Sequence, residues 1–138
     1  MSGDKTIDMR RALWQILSTD AALIVLVAAR VYDNVPQGTA YPYIDISEST
    51  VNDYGTKSEH GQEHNVVINV YDQSSPSRGQ LKLNQICKRI YDLLHEKQLD
   101  LGGIQLTYLL RFSQSFVRRS PDGVSWHAAT RYRALTSN

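Results

Sequence analysis

The period of the apolar positions changes several times along the chain, and each change predicts a new element. Met9, Leu13, Ile16 and Leu17 recur at helical spacing, which predicts an amphipathic helix from about Thr6 to Leu17. A nine-residue apolar run then follows Asp20. The N-cap chemistry before this run favours a short buried helix over residues 21–29, while its β-branched residues leave a buried strand as the alternative.

The middle of the chain changes to the alternation of β-structure. Residues 43–48 alternate, with Tyr43, Asp45 and Ser47 on one face, and residues 63–72 form a stronger apolar strand pattern. The polar stretch between them, residues 49–61, is rich in turn formers. It predicts either a long loop or the tip of an extended hairpin, and long loops in compact domains are often functional.

A helix is the strongest prediction of the second half. Ser75-Pro76 supplies an N-cap residue followed by proline at the first helical position, and an apolar stripe continues to about Glu96. Beyond it, Gly102-Gly103 predicts a tight hairpin. The turn at residues 120–123 then joins two long strands, one ending near Arg118 and the other covering residues 125–135.

Composition places these elements in one domain, residues 1–138. The chain is 41% hydrophobic and 21% charged, as in ordinary soluble globular proteins. Cys87 is the single cysteine, so no internal disulfide forms. No stretch resembles a signal peptide, and the longest apolar run is too short to cross a bilayer. We therefore expect a soluble protein made in a cytoplasm, without a membrane partner.

Charge is distributed unevenly although the net charge is only +1. Residues 1–103 hold ten basic and thirteen acidic side chains, a net charge of −3. Residues 104–138 hold five arginines and one aspartate, a net charge of +4. Such asymmetry predicts a molecule with two unlike surfaces, against the alternative of chance distribution over a solvated surface.

Candidate chemistry is sparse. His60 and His64 are four residues apart, a spacing that binds metal on a helix, but here they fall where a loop enters a strand. A solvated polar loop is therefore the preferred interpretation. Cys87 lies on the apolar stripe of the long helix and is interpreted as a core residue. No phosphate-binding loop or nucleophile elbow occurs, so we predict no catalytic, cofactor-binding or metal-binding residues.

The late arginines also raise the possibility of nucleic-acid binding. Arg118 and Arg119 lie near Phe112, Phe116 and Trp126 in sequence, and a basic patch with aromatic residues is typical of such proteins. Alternation places Arg131 and Arg133 together on one face of the last strand. A pair of arginines on a strand is more often part of an ion pair or a protein interface, which is the interpretation preferred here.

The order of scaffold residues resembles that of the tail-completion, or tail-terminator, family of long-tailed phages, prophages and gene transfer agents. The residues that carry the resemblance span nearly the whole chain: Thr19-Asp20-Ala21-Ala22-Leu23, Arg30-Val31-Tyr32-Asp33, Val35-Pro36-Gln37-Gly38, Tyr41-Pro42-Tyr43-Ile44, Gly61-Gln62-Glu63-His64, Arg119-Ser120-Pro121-Asp122-Gly123, Trp126-His127-Ala128 and Arg131-Tyr132-Arg133-Ala134-Leu135.

The resemblance implies an α/β fold of the α+β type, with a mixed, largely antiparallel sheet and helices packed on one side. It implies a structural virion protein, not an enzyme, that forms a homohexameric ring at the head-proximal end of the tail tube. The implied partners are further copies of the chain, the tail tube protein and a head-side neck or stopper protein. No cofactor and no specific nucleic acid are implied, although DNA passes through such a ring. The implied location is the tail of a virion or phage-like particle, assembled in the cytoplasm of a bacterial host.

Two groups of residues are predicted at protein–protein contacts. The first is the set of late arginines, Arg118, Arg119, Arg131 and Arg133. The second belongs to the polar stretch before the strong strand: Asp53, Tyr54, Lys57 and Glu59. Another neck protein, such as a head-side stopper or adaptor, and a small nucleic-acid-binding module remain the alternative functions.

Overall fold

The computed structural model describes residues 6–32, 35–53, 61–73, 81–96, 107–119 and 125–137. These form three helices and five strands. In chain order they are α1 (Thr6–Thr19), α2 (Ala21–Val27), β1 (Val31–Tyr32), β2 (Tyr43–Asp53), β3 (Gly61–Gln73), α3 (Leu81–Leu94), β4 (Thr107–Arg119) and β5 (Ser125–Ser137).

The strands form one mixed sheet in the order β1-β2-β3-β5-β4. Only β1 runs parallel to its neighbour, pairing with β2 at Ile44 and Asp45. The pairs β2–β3, β3–β5 and β4–β5 are all antiparallel. The chain crosses from β3 through α3 to the far edge and returns with β5 to the centre, so the last strand lies between β3 and β4.

Alternating burial along the central strands shows where the core lies. On β3, the side chains of even-numbered residues from His64 to Asp72 are buried and those of odd-numbered residues are half-buried. The buried residues of the sheet join a single apolar cluster with residues of all three helices. The core residues from the sheet are Val31, Ile44, Ile46, Val66, Ile68, Val70, Ala128, Tyr132 and Ala134, and those from the helices are Met9, Ala12, Leu13, Leu17, Leu23, Val27, Leu83, Ile86, Ile90 and Leu94. The helices therefore cover one face of the sheet, as predicted.

Asp20 links the two helical parts of this layer. It is the N-cap of α2 and accepts a hydrogen bond from the Leu23 amide at 3.1 Å, which satisfies an amide that has no partner within the helix. The same carboxylate accepts two hydrogen bonds from the Arg89 guanidinium on α3, at 2.9 and 2.7 Å. This two-point contact with Arg89 lowers the pKa of Asp20 and holds the short helix against the long one.

Several element boundaries differ from the sequence predictions. Residues 21–27 are helical, so the strand alternative for the apolar run is wrong, but the helix ends two residues early. Ala28 and Ala29 take left-handed backbone angles, with φ of 52° and 59°, and the Ala28 amide bonds to the Ile24 carbonyl. Glycine is the usual residue at such a helix end. Here both positions are alanine, so this ending could not be predicted from the sequence.

The hairpin and turn predictions have different outcomes. β2 continues to Asp53 and β3 begins at Gly61, so the extended hairpin describes the central polar stretch better than a long loop does. The predicted helix start at Ser75-Pro76, the Gly102-Gly103 turn and the turn at residues 120–123 lie outside the described residues.

Candidate interaction surface

The face of the sheet opposite the helices is here called the outer face. Its residues occupy alternate positions on neighbouring strands: Tyr43, Asp45 and Ser47 on β2, Glu63, Asn65, Val67, Asn69 and Tyr71 on β3, and His127, Ala129, Arg131 and Arg133 on β5. Most of these residues are half-buried or exposed. The outer face therefore has side chains that contact one another while remaining in contact with solvent.

A row of aromatic rings crosses the outer face. Tyr43 stacks on Tyr71 with ring centroids 4.9 Å apart, and Tyr71 stacks on His127 at 4.4 Å with an interplanar angle of 7°. Tyr41 and Tyr32 extend the row beyond Tyr43, at 5.6 and 6.4 Å. Because neighbouring rings on paired strands stack on each other, the stacked ring faces are already occupied within the subunit.

A polar cluster lies beside the aromatic row and forms a hydrogen bond with His127, the ring on β5. His127 Nε2 lies 2.8 Å from the Asn69 side-chain oxygen, and since an amide oxygen only accepts, Nε2 donates its proton. The Asn69 amide donates to Ser47 Oγ at 3.3 Å, and Ser47 donates to the Val67 carbonyl. Burial, followed by the positive charge of Arg118, lowers the pKa of His127, so the ring is neutral at pH 7.

Burial has the opposite effect on the pKa of Asp45 in the same cluster. It raises the pKa of the Asp45 carboxyl, while the Asn69 hydrogen bond and the charge of Arg10 partly offset that rise. Burial also raises the pKa of both Tyr43 and Tyr71. The centre of the outer face is therefore a partly dehydrated polar patch, an environment in which hydrogen bonds to a partner are worth more than on an open surface.

The four predicted arginines do not form one patch. Arg118 pairs with His127 across the β4–β5 ladder, which places it at the His127 end of the aromatic row. Arg131 and Arg133 lie on the same face of β5 as His127. Arg131, the nearer of the two to His127, is four residues or roughly 13 Å from it along the strand. Arg119 pairs with Trp126 on the other side of the sheet, and its guanidinium lies 5.4 Å from the Trp126 ring centroid.

Arg133 forms an ion pair within the subunit. Its guanidinium donates two hydrogen bonds to Glu63 Oε2, at 2.9 and 2.6 Å, and this contact lowers the pKa of Glu63. The Arg133 side chain is still half exposed, at 51%. The charge of Arg133 is thus neutralised by an acidic side chain of the neighbouring strand β3.

Of the second predicted group, the structure describes only Asp53. Asp53 is the last residue of β2 and pairs with Gln62. Tyr54, Lys57 and Glu59 lie outside the described residues. The hairpin extends beyond the end of the short strand β1, so the tip is far from the aromatic row.

His64 corrects one sequence interpretation. It was expected in a solvated loop with His60, but β3 begins at Gly61 and the alternation of the strand places His64 on the helix side, where it is fully buried. His60 lies outside the described residues. Cys87 packs against the core, and burial raises its pKa to about 11, which disfavours the reactive thiolate. Within the described ranges, no three His, Cys, Asp or Glu side chains come together as a metal site.

Comparison with known proteins adds an independent line of evidence. The family model described as tail completion protein gp17 matches residues 11–137. This chain belongs to the tail completion protein family. It is a structural protein of phage-type tails, and its place is the tail of a virion or phage-like particle. None of the described helices is long and apolar enough to cross a membrane.

A solved structure also matches this tail completion protein over its whole length. It is a chain from the "Virion of native gene transfer agent (GTA) particle", 25% identical, with a TM-score of 0.87. The alignment covers 99% of this chain and 100% of the other. A search of curated proteins found no significant match. The family assignment and the mixed sheet with helices on one side, both predicted from the order of scaffold residues, are therefore confirmed.

The aromatic row of this tail completion protein was missed in the sequence. Tyr43 and Tyr71 each occupy an outward position in a predicted strand, and this was the available signal. Their contact depends on the register that sets Tyr43 opposite Tyr71 and Tyr71 opposite His127. Register between strands that are distant in sequence is not encoded in the alternation of either strand alone.

Proposed function

We propose that the protein forms a hexameric ring at the head-proximal end of the tail tube. There it ends tube polymerisation and offers a surface to a head-side neck protein, and it acts through assembly and not through catalysis. The observation that carries this proposal is the match of the tail completion family model to residues 11–137. The fold-level match to a chain of a gene transfer agent particle supports it.

A ring requires two different surfaces on each subunit, because its contacts are heterologous and close by rotation. The subunit has unlike surfaces of this kind. One is the outer face, which exposes Arg131 and Arg133 and carries a partly dehydrated polar cluster, and the other is the outward side of the helix layer, which exposes Ile24 and Val25 of α2. Arginine and tyrosine are enriched at protein interfaces, and the outer face holds both.

The proposed contact residues are those predicted from the sequence. Arg118, Arg131 and Arg133 belong to the outer face and Arg119 to the Trp126 side, so one partner cannot cover all four with a flat surface. We assign the outer-face arginines to one partner and Arg119 to another. Asp53, Tyr54, Lys57 and Glu59, at and beyond the end of β2, are assigned to contacts at the hairpin tip.

The arrangement of the outer face favours a protein partner over nucleic acid. Sheets that bind single-stranded nucleic acid offer open aromatic faces on which bases stack. Here the faces of Tyr43, Tyr71 and His127 stack on one another, and Arg133 is paired with Glu63. A head-side stopper is the remaining alternative within the same class of protein.

Electron microscopy of particles made without this protein tests the proposal. Overlong or unstable tails are the expected result, because nothing ends the tube. Tails of normal length that fail to hold DNA-filled heads would instead assign the protein to the stopper position. Tails of normal length on normally joined heads would overturn both assignments.

A matched pair of variants tests the role of the outer-face arginines. Arg118→Ala with Arg131→Ala should reduce the fraction of rings bound to tube ends, measured by negative-stain microscopy. Lys88→Ala is the control, because Lys88 is 78% exposed on α3 and lies on the helix side. Equal ring occupancy in the double variant and the control would remove these arginines from the interface.

A further inference from the structure

Among the described residues, the two edges of the sheet differ in how far a neighbouring strand covers them. β4 is paired with β5 on one side, and no second strand neighbours it within the described chain. At the opposite edge, β1 covers β2 at Ile44 and Asp45. Residues 46–53 of β2 continue past β1 with no strand on their outer side among the described elements. On this side of β2, the Arg10 guanidinium of α1 donates a hydrogen bond to the Ile46 carbonyl at 2.9 Å.

These two open segments lie at the same end of the sheet. Register can be followed from one edge to the other through the paired strands. Two lines of paired residues cross the sheet at this end: Asp53–Gln62–Thr136–Thr107 and Ser47–Val67–Arg131–Gln114. The open part of β2 and the first half of β4 are therefore level with each other on opposite edges.

The strand directions suit pairing between copies. β2 and β5 are both antiparallel to β3, and β4 is antiparallel to β5, so β2 and β4 run in opposite directions. If a rotation axis lies roughly along the strands, the next copy brings its β2 beside β4 in antiparallel orientation. An antiparallel ladder uses backbone hydrogen bonds perpendicular to both strands.

The charges of the two segments are complementary. The first half of β4, level with the open part of β2, contains Arg111 and no acidic residue. Residues 46–53 of β2 contain Glu48 and Asp53 and no basic residue. Opposite charge favours β4 against β2, whereas β4 against β4 and β2 against β2 each bring like charges together. The favoured pairing is heterologous and closes a ring, while the disfavoured pairings give isolated two-fold dimers.

We propose that residues 46–53 of β2 in one copy pair with β4 of the next copy, so that the sheets of neighbouring subunits join edge to edge. This rests on the ring described under the proposed function and specifies how that ring is held together. Strand addition of this kind gains affinity from main-chain hydrogen bonds. It also removes open edges that otherwise invite non-specific association.

Disulfide trapping tests this pairing in the full chain with Cys87→Ala. Asn52→Cys, on the open part of β2, is combined in turn with Leu109→Cys, Arg111→Cys or Gln114→Cys, the β4 positions paired with Leu135, Arg133 and Arg131. After oxidation of assembled rings, we expect a ladder of covalent multimers up to the closed ring for at least one pair. Its yield should exceed the control by about tenfold, because a disulfide needs Cα atoms within about 7 Å.

The control replaces Asn52→Cys with Gln85→Cys, which is exposed on α3 and away from both edges. Rings that form by native mass spectrometry but give no β2–β4 disulfide above this control would overturn the edge pairing and leave the ring intact. A chain that stays monomeric even with tail tubes present would overturn the ring and the edge pairing together.

Hydrogen exchange on the unmodified chain provides a second readout that needs no cysteine variant. Assembly should slow exchange at alternate amides of residues 46–53 and of β4, since every second amide of an edge strand points outward. Amides in the β3–β5 ladder are already paired and serve as the internal reference. Ring formation with unchanged exchange in both edge segments would contradict the proposal.

Discussion

The inner and outer faces of the same sheet are built on different principles. On β3, Ile68 is fully buried among helix side chains, while its neighbour Asn69 makes polar contacts to Ser47 and His127 on the outer face. The inner face excludes water through shape and apolar area. The outer face keeps its order through stacked rings and hydrogen bonds while remaining half in solvent.

The difference separates the residues that fold the subunit from those that remain available for partners. An apolar core stabilises the fold in proportion to the apolar area that it removes from water. This stabilisation does not depend on the orientation of the groups that are buried. Stacked rings and charge-assisted hydrogen bonds are weaker individually but directional, and so they hold the side chains of the outer face in defined positions. The predictions below test this division, beginning with the largest expected effect.

Adjacent residues of β3 give the sharpest comparison. Ile68→Ala should lower the free energy of unfolding by about 3 to 4 kcal/mol, because it leaves a cavity in a close-packed core. Val67→Ala, on the half-buried outer face, should lower it by under about 1 kcal/mol. Urea denaturation followed by circular dichroism measures both. Equal losses would show that the two faces contribute alike to stability.

The inner face also depends on Asp20, which positions α2 against α3. Asp20→Ala should lower the free energy of unfolding by about 1 to 2 kcal/mol, since the helix loses its N-cap. Asp20→Ser is the matched control, because serine restores the cap but not the contact with Arg89. We expect Asp20→Ser to recover most of the lost stability. A serine variant as unstable as the alanine variant would show that the contact with Arg89 contributes more stability than the N-cap does.

Sequence reasoning recovered most of the inner face. Leu83, Ile86, Ile90 and Leu94 lie at helical spacing, and all four are buried, because a helix that covers a sheet must present one continuous apolar stripe. The alternation predicted for residues 43–48 likewise separated Tyr43, Asp45 and Ser47 from Ile44 and Ile46, which are buried. These signals are local, since each is read within one element.

The outer face and the sheet edges were not recoverable in the same way. Arg131 and Arg133 were correctly placed on one face of β5, but the Glu63 partner of Arg133 comes from a strand about seventy residues earlier. The contacts of Tyr71 and His127 depend on which strands are neighbours and in what register. Neither property follows from the period of a single segment. His64 was misplaced because it was grouped with the polar residues before it, although it lies within the predicted strand and alternation puts it on the same face as Val66 and Ile68.

The aromatic row should contribute a moderate amount of stability. Tyr71→Leu keeps a bulky apolar side chain in β3 but removes the stacking on both Tyr43 and His127, and we expect a loss of about 1 kcal/mol. Thermal denaturation with Tyr91→Leu as the control separates this effect from general tyrosine loss, because Tyr91 lies on α3 and stacks on His95 outside the aromatic row. A stability equal to that of the unmodified chain would mean that the row orders side chains without stabilising the fold.

Acidification should weaken the outer face through His127, with a smaller effect. Burial lowers the pKa of His127 in the folded chain, so the unfolded chain, with an ordinary histidine pKa of about 6.5, binds the proton more readily. The contribution to stability is therefore complete above about pH 6.5 and is lost as the pH falls from there toward the lowered pKa of the folded state. The free energy of unfolding then changes by at most about 1.4 kcal/mol per pH unit for one proton.

Urea denaturation between about pH 7.5 and pH 5.5 should show a steeper decline in stability for the unmodified chain than for His127→Gln. This variant keeps the other three histidines but lacks the titration of His127. Parallel stability profiles for the two chains would show that the outer face does not respond to protonation at this position.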